Sequence, residues 1–402
     1  MNTTTALQIR KLAIPKAFGL VVAVATLAAN SVTPNYAWMG VLTPEALEGM
    51  SHGTLFTDVI IPVFRPSLHL EKILLQTCGV KCTREFNQWL YAILAFLISE
   101  CIASAYLTIR KNNQGTIVAL ASCSIVLMPI YLSFASFGSF VDLTYVLSII
   151  VLVRLSVAHS VQVSGSLFLA LAIAVGDLSR PYFLIAFIPF ALCLTAKRGG
   201  RMHIWLAIGL GIAMVFPYHV AQYRKSGNLL LSNWGGCNLA EVFETPFPTN
   251  QAYQLRIPRN SINSIEASRI CREIARYVVS ESLRRPSYVF QSVARPRLLL
   301  ANVLPTPFRR DVPFKVSDKR AVIVARILLG LLFVLPIYAI FVFVLTRSSA
   351  AHRTMAIGCI LPLMTSVVAH GGAEAIRLST AFLLPMLYYS LTILGHREPK
   401  CS

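Results

Sequence analysis

Charge is scarce in this chain. Only 13% of its 402 residues are Asp, Glu, Lys or Arg, while 55% are hydrophobic. A soluble domain of this length needs far more polar surface, so the composition excludes an ordinary globular protein and points to a polytopic membrane protein. Acids are scarcer still, 17 against 36 basic residues, for a formal net charge of +19. In a soluble protein that balance would suggest nucleic acid. Here the basic residues flank apolar runs, where they orient spans and meet anionic headgroups, so membrane lipids and no nucleic acid are the expected partners. Metal-ligand spacing is missing as well, because the nine cysteines form no CxxC…CxxC arrangement. No internal repeat or inverted symmetry is visible, which counts against the common transporter folds.

Apolar runs lie near 17–38, 88–108, 115–135, 139–158, 163–176, 180–196, 202–221, 321–346, 354–371 and 377–395. Most approach the ~20 residues that cross a bilayer as a helix. The expected fold is therefore an all-α polytopic membrane protein of about ten transmembrane helices. The first run also fits a cleaved signal peptide, but its apolar character continues past the cleavage point, which favours an uncleaved span.

The basic residues test this count. Arg10, Lys11, Lys16, Arg110, Lys111, Arg154, the 197–201 cluster, Arg347, Arg353, Arg397 and Lys400 all fall on the same side of the drawn topology. That side is cytoplasmic, with both termini inside. The expected organisation is a transmembrane region over 1–221 with a first outer loop at 39–87, a long outer segment over 222–320, and a second transmembrane region over 321–402. The long segment carries sixteen Lys or Arg against seven Asp or Glu. Its basic character does not hold it inside, since long loops are translocated largely regardless of charge.

Charged groups near the hydrocarbon are costly and raise functional hypotheses. Asp142, Asp177, Arg180, Glu374 and Arg377 sit at the outer ends of expected spans. For each, the plain alternative is a solvated helix end with no role. "DLSR" and "EAIR" place an acid and a base three residues apart, so that the two can meet on one helix face. Glu100 lies inside the second span, where a carboxyl satisfied by a partner is expected ahead of a proton relay. Arg326 is expected to snorkel. Cys78 and Cys82 share the first outer loop, and Cys237 and Cys271 the long one. They form one or two disulfides if those loops face an oxidising compartment, and are otherwise free thiols. Within the long segment, residues from about Ser264 to Leu300 read as basic amphipathic helix, restarting at Pro286. Such helices lie at headgroup level, and some arginines there can grip phosphate by forked hydrogen bonds.

Four stretches carry a family resemblance: "GDLSRPYFLIAFIPFAL", "FPYHVAQYRKSGNLLLSNWGGCNL", "REIARYVVSESLRRPSYVFQSVARPRLLL" and "AEAIRLSTAFLLPMLYYSL". In this order the chain resembles the GT-C superfamily of membrane glycosyltransferases, in particular the aminoarabinose- and mannosyl-transferase-like branch. The resemblance implies transfer of a sugar from a polyprenyl-phosphate carrier to a lipid, protein or glycan acceptor, on the extracytoplasmic side of a bacterial inner membrane, by inverting displacement. It also implies a carboxylate in the first outer loop to take the acceptor's proton. Counting back from Gly53 at the family's spacing meets no acid, so the catalytic candidates are Glu45, Glu48 and Asp58, with Asp58 favoured. Arg180 and Arg377 would neutralise carrier phosphate, with Glu374 orienting Arg377 or binding the sugar. Asp177 and Trp234 complete the expected substrate-binding set, with the Trp234–Leu239 stretch forming a lid. No dense oxygen-ligand cluster demands a metal and no cofactor is fixed by the sequence, while the resemblance admits a divalent metal ion, which some members of the family use. The competing functions are an O-antigen or polysaccharide polymerase or ligase, and a transporter or flippase of lipid-linked glycan. The first would place paired long loops late in the chain; the second would place charge near mid-membrane.

Overall fold

The structure is a computed structural model. It describes residues 3–32, 68–111, 140–158, 163–180, 183–196, 201–226, 239, 242–243, 245–246, 261–293, 335–369 and 372–395. Among these the regular structure is helical throughout, with no strand. In chain order the helices are α1 (Thr3–Val32), α2 (Leu68–Lys111), α3 (Phe140–Val157), α4 (Val163–Ser179), α5 (Phe183–Thr195) and α6 (Arg201–Ser226). There follow α7 (Ser261–Arg284), α8 (Pro286–Val293), α9 (Leu335–Arg347), α10 (Ala350–Ala369) and α11 (Gly372–Gly395).

Among the described residues, two stretches are long and apolar enough to cross a membrane, Gln88–Thr108 in α2 and Met202–Ala221 in α6. Ala13–Ala28, Thr144–Val157, Val163–Ser179, Phe183–Thr195, Leu335–Arg347 and Leu383–Gly395 are apolar helices of 10–17 residues. The apolar run expected at 115–135 lies outside the described residues. Helix α2 begins at Leu68, well ahead of the apolar run that opens at Gln88, so it takes in the last part of the stretch read as the first outer loop.

Prolines sit inside α5 (Pro189), α6 (Pro217), α10 (Pro362) and α11 (Pro385). Each removes a backbone hydrogen bond, a loss that neighbouring helices make tolerable in membrane bundles. One large core joins α2, α3, α4, α5, the first half of α6, and α9 to α11. Its middle is filled by Tyr145, Phe183, Phe190, Tyr388 and Tyr389, all fully buried. Close approach of helices is set by small residues. A Cβ on Gly358 of α10 would stand 2.8 Å from the Ala186 carbonyl oxygen of α5, so only glycine lets these backbones meet. By contrast, α6 turns Met202, Trp205, Leu206, Leu210, Ile212 and Phe216 outward. A continuous apolar face of that kind marks contact with an apolar partner or lipid.

Glu100, read from sequence as a carboxyl needing a partner, has one. Arg154 of α3 pairs with it and donates from Nε to the Tyr388 hydroxyl at 2.5 Å, so α2, α3 and α11 meet at one polar knot. Beside it Cys101 Sγ and Thr392 Oγ1 stand 3.3 Å apart. Arg154 therefore does more than orient a span. Because the pair is only half-buried, Glu100→Gln is expected to cost about 1–2 kcal/mol in unfolding experiments in detergent. Arg154→Met should add little once Glu100 is gone, and fully additive losses in the double variant would refute the coupling.

Candidate functional site

The opposite end of the bundle is where α4 ends, α5 begins and α6 leads into the long polar segment. Helix α4 carries Asp177 and Ser179 in its last turn. Asp177 is 1% exposed and Arg180, just past the helix end, is 5% exposed. Charges are rarely this deep without compensation.

The compensation comes from α6. His219 Nε2 stands 2.6 Å from Asp177 Oδ2, a charge-assisted hydrogen bond in which the ring N–H donates to the carboxylate. The imidazole is itself largely covered, at 18% side-chain exposure. Helix pitch explains the meeting. Ala174 and Leu178 of α4 pack on Val215 and Tyr218 of α6, which brings the adjacent Asp177 and His219 into register.

Arg180 is held by the corner it occupies. Its N–H donates to the Gly176 carbonyl at 3.0 Å, and its own carbonyl accepts from the Phe183 N–H at 3.0 Å. Phe183 folds back so that its ring lies where a Cβ on Gly176 would be, with two ring atoms only 2.5 Å from that position. Tyr145 meets the same ring edge-on at 6.2 Å, and Phe187 stacks on it at 6.1 Å. Thr144 and Ser179 exchange a 2.6 Å hydroxyl hydrogen bond that ties α3 to the end of α4. The arrangement thus places a buried carboxylate–imidazole pair and a buried arginine at the bundle end nearest the polar segment. Such a set can bind an anion and hold or pass a proton.

Of the residues expected from sequence, Asp177 and Arg180 are the ones whose surroundings are described, and both sit at this corner. Glu374 and Arg377 lie in the first turns of α11, and Asp142 in the first turn of α3; their side chains are not among those described. Glu45, Glu48, Asp58, Trp234 and Arg326 lie outside the described residues. His219 is the residue that sequence reasoning misses, although a histidine near the polar-segment end of an apolar run is a signal that could find it. Among the described residues no three His, Cys, Asp or Glu side chains gather as a metal site.

The polar segment has a core of its own. Val242 and Phe243 pack on Cys271, Ile274 and Val278 of α7, with Tyr288 and Val289 of α8 against them. Phe243 and Tyr288 lie 5.4 Å apart, ring to ring. Cys271, one of the cysteines expected to pair if the segment faces an oxidising compartment, is disulfide-bonded. Pro286 begins α8 as expected, since a first-turn proline loses no intrahelical bond.

Among the described residues the protein is all-α, and its bundle includes two helices of membrane-crossing length. Set against models of protein families, curated proteins and solved structures, the chain matches none.

Proposed function

We propose that the chain is a polytopic inner-membrane glycosyltransferase that moves a sugar from a polyprenyl-phosphate carrier to a lipid, protein or glycan acceptor. The observation that carries this reading is the corner holding Asp177, His219 and Arg180, buried at the end of the bundle that adjoins the basic segment. Two features support the membrane part. They are the outward apolar face of α6 and the disulfide at Cys271, which fits a segment exported to an oxidising compartment with both termini inside.

In the proposed reaction the acceptor's hydroxyl or amine attacks the anomeric carbon. The bond from that carbon to the carrier's phosphate oxygen breaks, and its electron pair leaves with the phosphate. A first-loop carboxylate, for which Asp58 is favoured over Glu45 and Glu48, takes the acceptor's proton. Arg180 and Arg377 together neutralise the departing phosphate. The Asp177–His219 pair positions a second donor beside it, and Glu374 and Trp234 complete the sugar side of the site.

Two measurements test this. Polyprenyl phosphates are expected to copurify with the protein, and Arg180→Gln should lower their retention roughly tenfold. Asp58→Asn should retain the lipid yet lose transfer. Absence of any polyprenyl lipid from the purified wild-type protein would sink the reading.

A further inference from the structure

Helix α7 has a second face that its own core does not use. One line of residues at i, i+3, i+7, i+10 and i+14 runs down it: Arg269, Arg272, Arg276, Val279 and Leu283. These positions recur on one side of an α-helix. The first three are basic and the last two apolar, so the line changes character half-way. Val279 is 57% exposed and Leu283 80%, and Phe290 of α8 extends the apolar end at 75%. Arg284 and Arg285 flank that end with exposed side chains that reach back to Glu281.

The apolar residues on the other side of α7, Cys271, Ile274 and Val278, are already covered by Val242 and Phe243. The exposed end is therefore not waiting for the segment's own core. Helix α7 also touches α6, whose Met202–Ala221 stretch is of membrane-crossing length, so a bilayer crossed by α6 would have the module at its surface.

We infer that the α7–α8 module dips its Val279, Leu283 and Phe290 end into the headgroup–acyl boundary of the membrane. Arg269, Arg272 and Arg276 stay higher, at phosphate level, and Arg284 and Arg285 snorkel around the inserted tip. Apolar residues anchor such a helix and arginines draw it to anionic lipid. The change of character along the line gives the helix a tilt, with its C-terminal end deeper. A second copy of the chain fits the surface less well, because two-fold antiparallel pairing would set the arginine half against Leu283 and leave those charges covered and unpaired. This inference rests on the membrane part of the proposed function and is independent of the transferase part.

The test uses the full chain in nanodiscs of phosphatidylethanolamine and phosphatidylglycerol. A photoreactive benzoylphenylalanine is placed at Leu283, at Phe290, or at Glu273, which lies off the line more than two turns earlier. Lipid adducts at the first two positions are expected to exceed those at Glu273 roughly tenfold. Arg284→Ser with Arg285→Ser should reduce them when phosphatidylglycerol is the lipid labelled. A cross-linked dimer at Leu283, or lipid labelling no higher than at Glu273, would overturn the inference. Carbonate extraction of the cell membranes from which the protein is purified separates the two readings: a chain that stays in the pellet yet gives no adduct in nanodiscs refutes the docking alone.

Discussion

Asp177→Asn is expected to lower the proposed sugar transfer by roughly a hundredfold while leaving the protein folded. The substitution keeps the volume and an acceptor oxygen for the His219 N–H, but removes the negative charge. A neutral amide at this depth costs less desolvation than a carboxylate, so global stability should hold or rise slightly. What changes is the imidazole. With a carboxylate 2.6 Å from Nε2, the ring is held as the tautomer whose proton sits on that nitrogen. An amide gives no such constraint, because it can present N–H in place of the oxygen. His219→Gln should cost a similar factor, and the double variant should lose no more than either single one, as groups acting as a unit do. The measurement is single-turnover transfer from radiolabelled lipid-linked sugar, with thermal unfolding of each variant alongside. Wild-type rates in both variants, with lowered melting temperatures, would show that the pair merely joins α4 to α6.

The helices are legible because their signal is long. Runs such as 139–158 and 202–221 closely frame α3 and α6, since exclusion from water imposes one apolar requirement along the whole element. The restart at Pro286 is legible for a local reason, the missing N–H that suits a first turn. Helix α2 reads too short because Leu68–Gln88 mixes Glu71, Lys72, Lys81, Arg84 and Glu85 among its apolar residues, and hydropathy alone cannot distinguish a polar helix from a loop. At the site, "DLSR" is readable as a charged pair, but its use is not. The spacing suggests that Asp177 meets Arg180, whereas the hydrogen bond recorded for Asp177 crosses to His219, forty-two positions along the chain. Only the packing of α4 on α6 creates that contact. Arg154 shows the same limit. It reads as a charge that orients a span, and its hold on Glu100 and Tyr388 appears only once α2, α3 and α11 are assembled.

Gly176→Ala is the second substitution expected to have a large effect, through a single methyl group. In an isolated helix the change would be favourable, because alanine loses less backbone entropy than glycine. In the bundle the new Cβ would fall against the Phe183 ring, with two of its atoms at 2.5 Å, far inside van der Waals contact. The ring cannot simply rotate away, since Tyr145 and Phe187 hold its edge and face. Phe183 must therefore leave its place, and the corner bearing Arg180 moves with it. A cost of about 2–3 kcal/mol is expected, as for overpacking a tight core. Phe183→Ala alone should cost about 3–5 kcal/mol by opening a cavity. Combined, the two should cost less than their sum, because the added methyl enters the space the ring has left. In the Phe183→Ala background Gly176→Ala should thus be close to neutral, or stabilising by the ~1 kcal/mol of its helix preference. Unfolding in mixed detergent measures all four corners of this cycle. A Gly176→Ala penalty that is the same in both backgrounds would mean that Phe183 is not what makes glycine necessary there.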